Sequence, residues 1–207
     1  MKQKVIVFGG TFDPPHRAHT ELPPQIAEQV GADKILYVIA ALSPFKSQTP
    51  PTPAHHRLAM LRLATATIEQ AEICEIELAR EGPSFTIDTI EQLAQQYSSD
   101  VELRILIGAD QAIAFHRWRD WQRIVELAPP LIMLRPPHTK KEVLDAIGTF
   151  VPKDDLAQWQ SWILPLDMID LSATELRDEQ QRACLPLDSL LPTVRQYIEE
   201  HGLYNDQ

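Results

Sequence analysis

Two histidines three residues apart, His16 and His19, follow a turn rich in Gly, Asp and Pro, in the stretch Gly9-Gly10-Thr11-Phe12-Asp13-Pro14-Pro15-His16-Arg17-Ala18-His19. Imidazoles donate hydrogen bonds, and carry positive charge when protonated, so a pair of them at one mouth suits an anion. Before them stands Val5-Ile6-Val7-Phe8, a β-branched and aromatic run that reads as a fully buried strand. After them the chain can start a helix. In open α/β folds ligands bind at such a place, outside the carboxyl end of a strand and at a helix N-terminus. Backbone N–H groups and the positive end of the helix dipole favour a phosphate there. Far down the chain, Leu171-Ser172-Ala173-Thr174-Glu175-Leu176-Arg177 pairs Ser172 with Glu175 as a capping box, marking another helix start. A lone His-x-x-His or a bare capping box would mean little: surface histidines and an ordinary helix start would explain each.

The histidine stretch resembles the signature of nucleotidyltransferases with a Rossmann-type fold, a strand followed by G-x-F-D-P-x-H-x-G-H, with Ala18 where glycine is usual. Other segments, in order, resemble the nicotinate-nucleotide adenylyltransferase family. They are Ser43-Pro44-Phe45-Lys46, Gly82-Pro83-Ser84-Phe85-Thr86-Ile87-Asp88-Thr89-Ile90, Gly108-Ala109-Asp110, Trp118 with Trp121, and Ser172-Ala173-Thr174 with Arg177. Ala173 stands where a second serine is usual, and Phe45 where a histidine is common.

The resemblance implies transfer of an adenylyl group from ATP to nicotinate mononucleotide in NAD biosynthesis. His16, His19, Lys46 and Arg177 would then surround the phosphates. Gly9, Gly10, Thr11, Phe12, Ser172, Thr174 and Asp110 would hold ATP. Thr86, Trp118 and Arg135 would hold the mononucleotide, with Trp118 as aromatic platform for the pyridine ring. A phosphate monoester is already ionised near pH 7, so alignment and charge stabilisation matter more than a general base. Mg²⁺ is expected to bind mainly through ATP phosphates, with no protein-held metal. Three alternatives stay open: an enzyme preferring nicotinamide mononucleotide, a phosphopantetheine or cytidylyl enzyme sharing the first motif, and a nucleotide sensor without turnover. The Thr-Ile-Asp-Thr string and the tryptophans weigh against the second, and the presence of both histidines, Lys46 and Arg177 against the third.

The elements that must position these residues follow in order. Glu21 to Val30 reads as a helix closed by Gly31, but Pro23 and Pro24 require that it start late, near Pro23, or have a distorted first turn. Lys34 to Ala40 is a buried strand. Ala54 to Ala64 is an amphipathic helix, with His55 and His56 as surface histidines at its start. Ala71 to Leu78 reads as an exposed or edge strand, and Ser84 as N-cap of a helix through Gln95. Val101 to Ile107 is a strand ending at Gly108-Ala109-Asp110, where Asp110 either meets ribose hydroxyls or caps the next helix. Trp118 and Trp121, at helical spacing, form either a core stripe or a ligand platform. Strands are also expected over 130–137, with Arg135 at the end, and over 162–166, with a short helix over 140–147 between them. The expected fold is α/β, Rossmann-like and doubly wound, with a mainly parallel sheet, helices on both faces and a C-terminal helical part over about 172–204. Residues 1–207 are expected to form one domain.

Composition narrows the classes. A chain of 207 residues, 44% hydrophobic and 23% charged, can bury a full core. A net charge of −10 argues against nucleic acid or an anionic membrane as partner. No apolar run is long enough for a membrane helix, and a strand begins near Met1, so no signal peptide is expected. Cys74 and Cys184 make no Cys-x-x-Cys pair, which points to a reduced, cytoplasmic protein. Assembly into a homo-oligomer stays open.

Overall fold

The computed structural model describes residues 2–41, 50–97, 100–134, 137–165 and 189–204. The six described strands are β1 (Gln3–Gly10), β2 (Lys34–Ile39), β3 (Ala71–Cys74), β4 (Val101–Gly108), β5 (Pro130–Leu134) and β6 (Ile163–Pro165). Between and after them run α1 (Arg17–Val30), α2 (Ala54–Thr65), α3 (Thr86–Tyr97), α4 (Ala109–Ile113), α5 (Trp121–Leu127), α6 (Lys140–Ile147), α7 (Leu156–Trp162) and α8 (Pro192–Glu200). The strands form one parallel sheet in the order 3-2-1-4-5-6.

A parallel sheet with helices on both faces needs apolar residues on both, and the central strands supply them by simple alternation. Val5 and Val7 of β1, Leu36 and Val38 of β2, and Leu103, Ile105 and Ile107 of β4 pack into one core layer. Their neighbours Ile6, Phe8, Ile35, Tyr37, Ile39 and Leu106 pack into the other. Helices α3 and α4 cover the first layer, through Ile87, Ile90, Leu93, Ala109 and Ala112. Helix α1 covers the second, through Ala18, Leu22, Ile26 and Ala27. The helices that follow the adjacent strands β1 and β4 therefore leave toward opposite faces. The β1–β4 ladder ends at Val7–Ile105, although the strands run on to Gly10 and Gly108. A crevice opens at their carboxyl ends, where open α/β sheets hold ligands.

Several expectations need correction. Helix α1 starts at Arg17, not near Pro23, and carries both prolines in its interior. They remove two internal donors, but Pro23 is itself buried with Ala18, Leu22, Ile26 and Ala27, so tertiary packing holds a helix that propensity would break. Its far end behaves as expected. Gly31 is left-handed, and the Ala32 and Gly31 N–H groups donate to the Ala27 and Glu28 carbonyls. Strand β3 is shorter than expected and lies at the sheet edge. Helix α7 was not foreseen. Trp118 and Trp121 do not share a helix: Trp118 is extended, Asp120 is left-handed with φ +49°, and α5 starts only at Trp121.

Candidate active site

The turn after β1 is set by contacts around Phe12. Its φ is +49°, a left-handed conformation that a bulky residue adopts only where its surroundings hold it. The ring is buried among Phe8, Tyr37 and His19. It also lies against Gly10, where an added Cβ would come within 2.9 Å of the ring. Glycine at position 10 is thus required by the turn itself. At Gly9 an added Cβ would meet nothing within 4 Å, so the protein's own packing does not demand glycine there. With its side chain in the core, Phe12 can meet a ligand only through its backbone. The Asp13–Pro14 peptide is cis.

Pro14 and Pro15 are buried and deliver His16 as the N-cap of α1, in extended conformation. The two imidazoles stack, with centroids 3.7 Å apart. The His16 N–H donates to Nδ1 of His19 at 3.2 Å, and the His19 N–H donates to the His16 carbonyl at 2.8 Å. A ring nitrogen that accepts from a backbone amide carries no proton in the neutral form, so neutral His19 presents Nε2–H as a donor. His16 is buried and His19 only half-buried, so His19 is the more accessible of the pair. Ala18, the departure from the usual glycine, sends its methyl into the core face of α1.

Beneath the turn lies a residue whose sequence context carries no hint of a role. Arg57 of α2 is 1% exposed. Its Nε donates to the Thr52 carbonyl, and its Nη1 donates to the carbonyls of Thr11 and Ala40, all at 2.8 Å. Nη2 reaches the Ala41 carbonyl at 3.5 Å. One guanidinium thereby ties the β1 turn, the end of β2 and the approach to α2 together.

The neighbouring crevice wall comes from the segment before α3. Ser84 is not the N-cap of that helix: its hydroxyl oxygen accepts from the Ala41 N–H at 3.1 Å, pinning the segment to the end of β2. Glu77 is buried behind it and accepts hydrogen bonds from Thr89 Oγ1 at 2.6 Å and from Ser84. Arg80 donates to Thr89 and faces the same carboxylate at 3.7 Å. Burial pushes the Glu77 carboxyl above its ordinary value, more than these partners lower it. Thr86 is the first residue of α3, half-buried. Asp110 is exposed in the first turn of α4, while the Gly108 N–H there is taken by the Gln111 side chain at 3.2 Å. Trp118 is half-buried against Phe115, with ring centroids 5.0 Å apart. Trp121 also packs on Phe115, and lines a cleft of about 420 Å³ with Phe150, Trp159 and Trp162.

Lys46, Arg135, Ser172, Thr174 and Arg177 lie outside the described residues, as do Phe45, Ala173 and Cys184. The described site therefore unites His16, His19, Gly9, Gly10, Thr11, Thr86 and Asp110 at the carboxyl ends of β1, β2 and β4.

Residues 7–179 match the family model described as cytidylyltransferase-like. The chain belongs to that family. Among its relatives, a protein named probable nicotinate-nucleotide adenylyltransferase from Yersinia enterocolitica is 34% identical over 210 residues, covering 96% of this chain and 94% of its own. One of the same name from Neisseria meningitidis is 30% identical over 202 residues, covering 98% of both chains. A similar fold is seen in the nicotinic acid mononucleotide adenylyltransferase of Plasmodium falciparum, solved in complex with NaAD. That structure superposes with a TM-score of 0.70 over 99% of this chain and 98% of its own, at 16% identity.

Arg57 gave no sequence signal, because a buried arginine in an amphipathic helix breaks its apolar pattern without announcing a partner. His56, expected at the surface, joins α2 to α8: its Nδ1 lies 3.0 Å from the Tyr197 hydroxyl, and His201 stacks on that tyrosine at 4.0 Å. Burial and the neighbouring His55 and His201 lower the His56 pKa. Among the described residues no group of three or more His, Cys, Asp or Glu side chains could hold a metal ion, and no helix is long and apolar enough to cross a membrane.

Proposed function

We infer that this protein transfers the adenylyl group of ATP to nicotinate mononucleotide, giving deamido-NAD and pyrophosphate, as a step of NAD biosynthesis. The observation that carries this is the His16–His19 turn, set at the mouth of the β1–β4 crevice, in a chain whose full-length relatives bear that enzyme's name. An oxygen of the mononucleotide phosphate attacks the α-phosphorus of ATP. The bond from that phosphorus to the β-phosphate bridge breaks, and pyrophosphate leaves with the electron pair. No proton has to be removed from the nucleophile, so the protein's task is alignment and stabilisation of charge.

His19 is well made for that task, with a donor nitrogen whose tautomer the His16 amide sets. His16 braces it from behind, and the N-terminus of α1, a helix of 14 residues, adds its dipole. Gly9 leaves the strand end bare, so a nucleotide can approach the backbone closely. Lys46, Ser172, Thr174 and Arg177 are assigned to the polyphosphate, and Thr86, Trp118 and Arg135 to the mononucleotide. Asp110, exposed past the end of β4, is assigned to a ribose of ATP. Mg²⁺ would be held mainly by the phosphates of ATP, neutralising their charge. The chain works as one cytoplasmic domain.

The test is release of pyrophosphate with ATP and each mononucleotide supplied separately. Faster turnover with nicotinate mononucleotide supports the assignment. Preference for nicotinamide mononucleotide would replace the acceptor, and release with neither would leave a nucleotide-binding protein without this activity.

A further inference from the structure

The end of the chain reaches the signature turn. After α8 the backbone bends through Gly202, with φ +60°, and Tyr204, with φ +64°. Glycine adopts that conformation freely; tyrosine does so only where its surroundings hold it. From this bend the Tyr204 phenol donates a 2.6 Å hydrogen bond to Asp13 Oδ1, across 191 positions of sequence. The other carboxylate oxygen, Oδ2, accepts from the Thr52 N–H at 2.9 Å, and the Thr52 carbonyl accepts from Arg57. Asp13 stands between left-handed Phe12 and the two prolines that deliver His16. Its carboxylate is therefore gripped from two sides at the point where the path toward both imidazoles is set.

The support behind that grip is firm. Val194 of α8 is fully buried with Met60 and Ala64 of α2, and Tyr197 meets His56. Helix α2 also carries Arg57, and Tyr204 follows α8 by four residues, so both props of the turn hang on one packed pair of helices.

We propose that Tyr204 is a positioning residue for adenylyl transfer, holding the His16–His19 turn in register through Asp13. The proposal rests on the activity inferred above. A group that aligns donors without touching substrate acts on kcat more than on KM. In the full-length chain, Tyr204→Phe keeps the ring and deletes only the hydroxyl. It should lower kcat roughly tenfold, with KM for ATP and for nicotinate mononucleotide within about twofold of wild type, as expected when a charge-assisted bond that orders a catalytic turn is lost. Asp13→Ala should lower kcat at least as much, and the double variant no further than Asp13→Ala alone. Wild-type kcat in Tyr204→Phe, or losses that multiply in the double variant, would overturn the proposal.

Amide hydrogen exchange gives a reading that needs no substrate. In Tyr204→Phe the Thr52 amide should exchange faster while α8 keeps its protection. Unchanged exchange at Thr52, or loss of protection throughout α8, would mean that the phenol merely docks the tail and would overturn the proposal. If wild type fails to adenylylate nicotinate mononucleotide, the activity assignment falls and the exchange result alone decides the role of Tyr204.

Discussion

Replacing Arg57 with methionine removes the guanidinium from beneath the signature turn while keeping an unbranched side chain there. Three carbonyls, of Thr11, Ala40 and Thr52, lose a donor at 2.8 Å, and that of Ala41 loses a weaker one. Hydrogen bonds to a charged group contribute about 1.5–3 kcal/mol each, but the loss is not their sum. Removing the cation also removes the cost of keeping it out of water, several kcal/mol for a buried ion. The nearest measured case is breaking a buried charged interaction by deleting one partner, about 3–5 kcal/mol, and we expect Arg57→Met to fall there. Against a total stability of about 5–15 kcal/mol, that is a large fraction. Urea unfolding at 25 °C is the assay. With a slope of about 2–3 kcal/mol per molar, the midpoint should fall by about 1–2.5 M with the slope unchanged. Arg57→Lys should recover only part of this, since an ammonium places its donors at one point and cannot span the turn, β2 and the α2 approach. A midpoint within about 0.3 M of wild type in Arg57→Met would refute the reasoning, because desolvation would then cancel the carbonyl bonds.

His19→Ala should cut kcat by about a hundred- to a thousandfold with the fold intact, the usual effect of losing one donor at a developing charge; steady-state rates with most activity retained would remove it from the mechanism. Trp118→Ala should raise KM for nicotinate mononucleotide by about ten- to a hundredfold, from stacking worth about 1–3 kcal/mol, and an unchanged KM would leave Trp118 as core packing only. Glu77 is raised above its ordinary carboxylate value by burial, so the folded state holds that proton more tightly than the unfolded chain does. Its contribution to stability is present below about pH 4.5 and is lost as pH rises through the raised folded value; the stability of Glu77→Gln minus that of wild type should rise over that window, and a flat difference would contradict it. The Tyr37 hydroxyl is buried with no hydrogen-bond partner among the described residues, so Tyr37→Phe should be neutral or stabilising by about 1 kcal/mol, and a loss of that size in urea melts would show a partner was missed.

The sheet was legible because its residues alternate. Val5 and Val7 face one layer, Ile6 and Phe8 the other, and an uninterrupted apolar strand has few other ways to be satisfied. Errors arose where a local rule met a tertiary contact. Two prolines should end a helix, yet α1 passes through them because its buried face is continuous from Ala18 to Ala27. Trp118 and Trp121 have helical spacing, but left-handed Asp120 separates them, and nothing in the composition of that segment signals such a residue. Ser84 has the right chemistry for a cap, but the Ala41 amide, 43 positions away, claims its oxygen.

The site divides along the same line. His16 and His19 could be read because their partnership is local: three residues apart, they meet through one helix turn. Asp13 could be read only as a turn former, and in that role glycine, serine or asparagine would serve as well. Its position makes a stricter demand. Thr52 and Tyr204 bring two donors to it from opposite sides, and among turn-forming side chains only a carboxylate offers each its own acceptor oxygen. The same holds for Arg57, whose carbonyl partners Thr11 and Ala40 stand 46 and 17 positions away. What fixes the turn is thus a set of long-range hydrogen bonds whose partners carry no shared pattern in sequence, so the chemistry was visible there while the scaffold that aims it was not.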